Sequence, residues 1–310
     1  MPIAFISHHS CSLHVMGDHH PEQPARLHAI NDRLIASGLE MVLMHHDAPA
    51  ATREQLLRVH DADYVRKVFE SSPTEGFVWL DGDTAMGPRT LDAAVHAAGA
   101  AAHGVDLVMT GQASHAFCAV RPPGHHAERA KAMGFCFFNN VAVGAAHAMA
   151  EHGVERVAVV DFDVHHGNGT EDIFAGDERV LFCSTFQHPF YPNSGYDTSA
   201  PNVVNCPLPS RADGAAFREA VEAHWLPALE KFEPQLVMIS AGFDAHREDD
   251  MAHLRLLEFD FAWITRRLCD IADRFAGGRV VSTLEGGYDL PSLARSVTVH
   301  IKSFLGDHHH

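Results

Sequence analysis

Basic residues are scarce in this 310-residue chain: 23 Lys and Arg stand against 40 Asp and Glu, a formal charge of −17. General nucleic-acid binding needs a basic surface and is excluded on that ground. The acidic balance itself speaks mainly to solubility and association, and is compatible with a cationic substrate. The six cysteines (Cys11, Cys118, Cys136, Cys183, Cys206, Cys269) are scattered without a Cys-x-x-Cys pair, which argues against a disulfide framework or a thiolate zinc site. No run approaches the roughly 20 apolar residues of a membrane span. Met1-Pro2-Ile3-Ala4-Phe5-Ile6-Ser7 lacks a basic n-region and reads as a first strand, so a cytoplasmic protein with no membrane partner is expected. There is no composition break, Gly/Ser linker or internal repeat either. One domain over residues 1–306 is expected, and the terminal His308-His309-His310 within 307–310 reads as a possible tag remnant.

What is present is an ordinary globular composition, 46% hydrophobic and 20% charged, long enough to bury a large core. Strand-like apolar runs recur at Ile3–Ser7, His115–Val120, Val157–Phe162, Val180–Thr185, Leu236–Ser240 and Val280–Leu284. Helical patterns fall between them, at Leu91–Met109, Val141–His152, Ala215–Lys231 and Leu254–Phe275. This alternation predicts an α/β fold, a central parallel sheet with helices on both faces. In such sheets ligands bind beyond the carboxyl ends of the strands. The polar loops Arg121–Phe138, His165–Thr170, Gln187–Pro201 and Gly242–Met251 all follow strand-like runs.

The most informative stretch is Asp161-Phe162-Asp163-Val164-His165-His166-Gly167-Asn168-Gly169, directly after Val157-Ala158-Val159-Val160. Alternation along a continued strand predicts Asp161, Asp163 and His165 on one face. Two carboxylates and an imidazole there are costly to bury without a cation, which points to a divalent metal. A second cluster, Arg121-Pro122-Pro123-Gly124-His125-His126-Ala127, holds tandem imidazoles in a stiff loop, suited to acid–base work near neutral pH. Other His-His pairs, His19-His20 and His45-His46, carry no such context. A third, Ser240-Ala241-Gly242-Phe243-Asp244-Ala245-His246, offers Asp244 as a third ligand that leaves a coordination position open; an isolated Asp is more often a helix N-cap. A fourth is Leu284-Glu285-Gly286-Gly287-Tyr288-Asp289, whose Tyr288 is either a site hydroxyl or plain packing.

Taken in order, Arg-Pro-Pro-Gly-His-His, Asp-x-Asp-x-His-His-Gly-Asn-Gly, Ala-Gly-Phe-Asp and Glu-Gly-Gly-Tyr resemble the zinc-dependent histone deacetylase family, which includes acetylpolyamine amidohydrolases. The resemblance runs from about His20 to Tyr288. Gly134-Phe135-Cys136-Phe137-Phe138-Asn139-Asn140, with Asn168, is similar to the class II branch. The resemblance implies the arginase/deacetylase fold, with Asp163, His165 and Asp244 as zinc ligands. It implies His125 and His126 as the catalytic pair and Tyr288 as the group that polarises the scissile carbonyl. Asp161 would hold His125 and share a structural potassium ion with Ser184 and Thr185. Gly134, Phe135 and Tyr191 would line an acyl-lysine channel with Asp83 at its rim, and Arg26 would lie where acetate leaves. Asn168 stands where class I has an aspartate, so His126 should be less basic.

The activity so implied is hydrolysis of N-ε-acetyl-lysine in peptides or proteins. An acetylpolyamine is the alternative substrate, with Asp81, Asp83 and Glu128 available to a distal ammonium. A non-catalytic acyl-lysine-binding relative is the alternative of a different class. An arginase-like ureohydrolase would need more Asp and His ligands than these loops show. The two-carboxylate, one-imidazole set also admits iron(II). Asp83 reads equally as a turn or N-cap residue ahead of Ala85–Ala102, and oligomeric state is left open.

Overall fold

The computed structural model describes residues 2–306; the possible tag at 307–310 lies outside the described residues. Ten strands form: β1 Ile3–Ser7, β2 Leu43–Asp47, β3 Val78–Asp81, β4 Thr84–Met86, β5 His115–Cys118, β6 Val157–Asp161, β7 Val180–Gln187, β8 Val203–Leu208, β9 Leu236–Ala241 and β10 Val280–Leu284. Eight of them make one sheet in the order β2-β1-β5-β10-β9-β6-β7-β8, every pair parallel. β3 and β4 form a separate antiparallel hairpin.

The helices are α1 Ala25–Ala36, α2 Arg53–Leu57, α3 Ala62–Glu70, α4 Thr90–Met109, α5 Asn140–His152, α6 Asn168–Phe174, α7 Gly214–Ala220, α8 Leu226–Phe232, α9 Glu258–Phe275 and α10 Leu290–Phe304. They cover both faces of the sheet, as strand alternation shows. Ala116 and Val281 lie under Gly104 of α4, whereas their chain neighbours Phe117 and Ser282 meet His300 of α10. A parallel sheet covered on both faces explains why β6, β9 and β10 are buried at every position.

The strand order decides where the site forms. β9 and β10, made late in the chain, insert between β5 and β6. Cys118, Thr283, Ser240, Asp161 and Ser184 therefore stand in one row across β5, β10, β9, β6 and β7. Strands in a sheet lie about 4.8 Å apart, so the four loops that follow β5, β10, β9 and β6 emerge side by side.

Several expected boundaries move. β6 ends at Asp161, so Asp163 and His165 are placed by a loop and not by continued strand alternation. Asn168, expected in a loop, opens α6. The expected helix Ala215–Lys231 is interrupted by a wider π turn at Val221–Trp225. α9 starts at Glu258, because Leu254–Leu257 is tied by backbone bonds from Leu256 to Ala245 and from Arg255 to Ala212. β2 and β8 escaped the sequence reading because they are edge strands with exposed positions that blur the apolar run. Asp83 sits in the turn of the β3–β4 hairpin, well ahead of the α4 start at Thr90. Among the described residues no helix is long and apolar enough to cross a membrane.

Candidate active site

The loop after β6 folds on its own carboxylates. Asp161 Oδ1 accepts the Asp163 N–H at 3.0 Å, and Asp163 Oδ1 accepts the His165 N–H at 2.9 Å. These bonds turn Asp163 and His165 toward the loop after β9, where Asp244 Oδ1 accepts the Val164 N–H at 3.0 Å. His165 Nδ1 then faces Asp163 Oδ1 at 3.1 Å and Asp244 Oδ2 at 3.3 Å. Its single N–H serves Asp163, and Asp244 Oδ2, fully buried, has no hydrogen-bond donor. A Cβ on Gly286 would overlap Asp244 Oδ2 and crowd Asp163 Oδ2, so only glycine lets the β10 loop close over the pair. Burial and the neighbouring Asp163 raise the Asp244 carboxyl. Burial would lower His165, but the adjacent Asp163 and Asp244 carboxylates outweigh it and lift the imidazole to about 10. The ligand-type atoms of Asp163, His165 and Asp244 lie within 4.8 Å of one another, an arrangement that a divalent cation fits.

A second trio, Asp106, His147 and His152, also brings ligand-type atoms together. Its chemistry differs. His147 Nδ1 faces only donors, Gln55 Nε2 at 3.2 Å and Arg58 Nη1 at 3.4 Å, and Gln55 Oε1 is taken up by the Thr52 N–H. His147 Nε2 and His152 Nε2 lie 2.8 and 2.7 Å from the same Asp106 Oδ1, which imidazole N–H groups donating to one carboxylate account for.

The tandem histidines are held by unlike partners. His125 Nδ1–H donates to Asp161 Oδ2 at 2.8 Å, whereas His126 Nδ1–H donates to Asn168 Oδ1 at 2.7 Å. The Asn168 amide is oriented by its own Nδ2–H, given to Glu128 Oε1 at 2.8 Å. Burial depresses both imidazoles. At His125 the carboxylates of Asp161, Asp163 and Glu285 overcome it and raise the group well above its ordinary value. At His126 the neighbouring His125 and His165 add to burial and drive it well below. The two imidazoles are thus pushed in opposite directions, His125 toward its cation and His126 toward its neutral form. Their ring centroids are 4.0 Å apart.

His126 and His165 form part of the wall of a narrow cavity of about 240 Å³, with Asp83, Gly134, Phe135, Phe190, Tyr191, Met251 and Tyr288. Gly134 has φ +56, and a Cβ there would run into the His126 ring. Asp83 Oδ1 accepts the Gly134 N–H at 3.0 Å and thereby pins this wall to the hairpin. Ser184 pairs with Asp161 across β6 and β7, and its buried Oγ has no partner, which suits a cation beside Asp161. Thr185 follows on the opposite face of β7. Arg26 is fully buried beneath the site: Nε donates to Gly287 O at 2.6 Å, Nη2 to Glu285 O at 2.5 Å and Nη1 to Glu22 at 3.0 Å, with its guanidinium 4.9 Å from the Tyr288 ring centroid.

With this geometry in place, comparison with known proteins is decisive. Residues 20–304 match the histone deacetylase domain. The chain belongs to the histone deacetylase family. It is 41% identical over 276 residues to the histone deacetylase-like amidohydrolase of Pseudomonas aeruginosa, covering 87% of this chain and 72% of that one. It is 40% identical over 303 residues to the human polyamine deacetylase HDAC10, covering 92% of this chain but 45% of the longer human protein. The solved structure of the HDA15 HD domain superposes with a TM-score of 0.92 at 34% identity, over 99% of this chain and 89% of that one. The fold is therefore the arginase/deacetylase type expected from the motifs.

Family motifs brought the candidate residues into view, but some site-supporting groups escaped the sequence reading. Glu285 is fully buried, with Oε2 accepting the Gly124 and His125 N–H groups at 2.7 and 3.1 Å and Oε1 accepting Ser240 Oγ–H at 3.0 Å. It ties the β5, β9 and β10 loops together, and burial pushes its carboxyl up to about 7. Phe190 stacks on His165 with centroids 5.7 Å apart, and its signal was its place beside Tyr191. Met251 and Asp249 lie in the expected Gly242–Met251 loop, but nothing in their residue type singled them out within it.

Proposed function

We propose that the chain is a zinc-dependent deacetylase that hydrolyses N-ε-acetyl-lysine in peptides or proteins and releases acetate. The observation that carries this reading is His126, its Nδ1 held by Asn168 and its ring on the same narrow cavity as His165 and Tyr288. Asp163, His165 and Asp244 would hold the metal, which when bound acidifies water and polarises a carbonyl. His126 takes the proton of the attacking water and passes it to the leaving amine. Asp161 keeps His125 cationic, and that charge favours the developing oxyanion without leaving the site. Tyr288 donates its hydroxyl to the same oxygen. Burial, despite the opposing Arg26 charge, holds the phenol well above its ordinary value, so the proton stays available for donation. Ser184 Oγ, Asp161 and the backbone at Thr185 would share a structural potassium ion. Arg26 would act at the foot of the site, where acetate departs.

The cavity favours a lysine stem. Phe135, Phe190, Tyr191 and Met251 supply apolar walls. Of the acids that a distal ammonium could meet, Asp81 lies 3.5 Å from Lys131 Nζ, while Glu128 and Asp83 each accept one neutral N–H, from Asn168 and Gly134. The name of the human relative keeps an acetylpolyamine as the second reading. The deciding experiment compares an acetyl-lysine peptide with N-acetylputrescine on metal-loaded protein, with and without chelator. Chelator-sensitive turnover of the peptide, restored by zinc more fully than by iron(II), is expected. Preferential turnover of N-acetylputrescine would reassign the substrate, and loss of neither activity on chelation would remove the metal.

A further inference from the structure

The loop after β9 continues past Met251, at the edge of the substrate cavity, into a second cavity of about 600 Å³ lined by Arg211, Arg247, Arg255, His253, Asp249 and Asp250, among others. Three loop segments build it. Arg211 N–H donates to His253 O at 3.0 Å, Arg255 N–H to Ala212 O at 2.9 Å and Arg247 N–H to Leu256 O at 3.0 Å, so the three arginines stand on neighbouring backbone. The nearby acids are used elsewhere. Arg295 takes Glu248 and Glu258, Arg218 takes Asp260, Asp213 caps α7, and Asp249 accepts three backbone N–H groups. Among the described residues no carboxylate comes within ion-pair distance of Arg211, Arg247 or Arg255, although Asp250 shares their cavity. On a chain of formal charge −17, three unpaired guanidinium groups on one cavity form a local reversal of sign.

We propose that this cavity receives acidic side chains flanking the acyl-lysine, so that the preferred substrates are acidic peptides. The inference rests on the deacetylase reading above. The two cavities adjoin: Met251 borders one, Ala252 and His253 the other, and the His253 ring lies 6.0 Å from Phe190 of the substrate wall. An extended peptide advances about 3.3 Å per residue, so residues flanking an acyl-lysine seated in the first cavity pass over the adjoining one. Guanidinium groups bind carboxylates through paired N–H donors.

The test uses three acetyl-lysine peptides on the metal-loaded full chain, identical except that the two residues on each side of the acetyl-lysine are Glu, Ala or Lys. The expected result is kcat/KM about five-fold higher for the Glu than for the Ala peptide, carried by KM, with the Lys peptide lowest; this is the size of one exposed ion pair near 1 kcal/mol. Arg247→Ala with Arg255→Ala brings the three peptides within about two-fold of one another and leaves the Ala peptide unchanged. The charge reversals Arg247→Glu and Arg255→Glu make the Lys peptide the best. Equal kcat/KM for the Glu and Ala peptides, or a Glu preference that survives both pairs of substitutions, overturns the proposal. Failure to hydrolyse the neutral Ala peptide would instead count against the deacetylase reading.

Discussion

Asp249 Oδ2 accepts the backbone N–H of Tyr288 at 2.6 Å, and the same oxygen accepts the Asp289 N–H at 3.1 Å. Asp289 in turn caps α10 by accepting the Ser292 N–H, while Asp249 Oδ1 accepts the Met251 N–H. One buried carboxylate thus fixes the turn that presents Tyr288 and the residue that borders the substrate cavity. Tyr288→Phe is expected to lower kcat about 10²-fold with metal content and KM nearly unchanged, as for loss of one oxyanion donor. Asp249→Ala leaves the hydroxyl in place but unpairs buried N–H groups, each worth about 1–3 kcal/mol. It should lower both kcat and Tm, whereas Tyr288→Phe spares Tm. Wild-type kcat in either variant would contradict the role given to that residue.

Metal binding and apo stability should respond in opposite ways at Asp244. Without metal its Oδ2 is buried against Asp163, so Asp244→Asn removes a like-charge neighbour and the chelated variant should melt at or above the wild type. Zinc at about a thousand times its Kd stabilises the protein by about 4 kcal/mol, and that rise in Tm should vanish in the variant. Equal zinc-induced shifts in differential scanning fluorimetry would place the metal elsewhere.

Asn168→Asp sets a carboxylate 2.7 Å from His126 Nδ1 in place of a neutral amide. The new anion opposes the burial and the His125 and His165 charges that hold His126 down. The acidic limb of the kcat/KM profile should move to higher pH by about one unit or more. An unmoved limb would show that His126 is not the base being titrated.

His60 supplies a pH dependence outside the Asp163, His165 and Asp244 cluster. It accepts the Asn139 N–H at Nε2 (3.0 Å) and donates from Nδ1 to Glu128 O (2.9 Å), bracing the loop that carries the tandem histidines. Burial lowers it from 6.5 to about 4. The folded state therefore holds it neutral while the unfolded chain gains a proton below pH 6.5. Its contribution, up to about 3 kcal/mol, is present above pH 6.5 and lost as pH falls toward 4. The Tm gap between wild type and His60→Gln should be widest at pH 7 and close between pH 6.5 and 4; a constant gap would contradict this.

The central strands and the loops behind them were legible because a parallel strand covered on both faces must be a continuous apolar run, and acids or imidazoles that follow one are conspicuous. Edge strands β2 and β8 lack that constraint and did not stand out. Asp249 lies in Arg247-Glu248-Asp249-Asp250, where nothing distinguishes it from Asp250. Only folding buries Asp249 and exposes Asp250. The same holds for Glu285, whose three donors come from residues 124, 125 and 240.

The sequence by itself determined the kinds of groups in the site and their order: two imidazoles, then Asp-x-Asp-x-His, then Asp, then Tyr, each after a strand. The tertiary structure decided what each group does electrically. Placing β9 and β10 between β5 and β6 brings carboxylates from distant segments onto one metal-sized centre and sets Glu285 and Asp163 against His125, beside the Asp161 and Asn168 partners that the motifs had implied. Whether a buried imidazole carries charge depends on the sum of its desolvation and its neighbours' charges. That sum exists only once the strands are side by side.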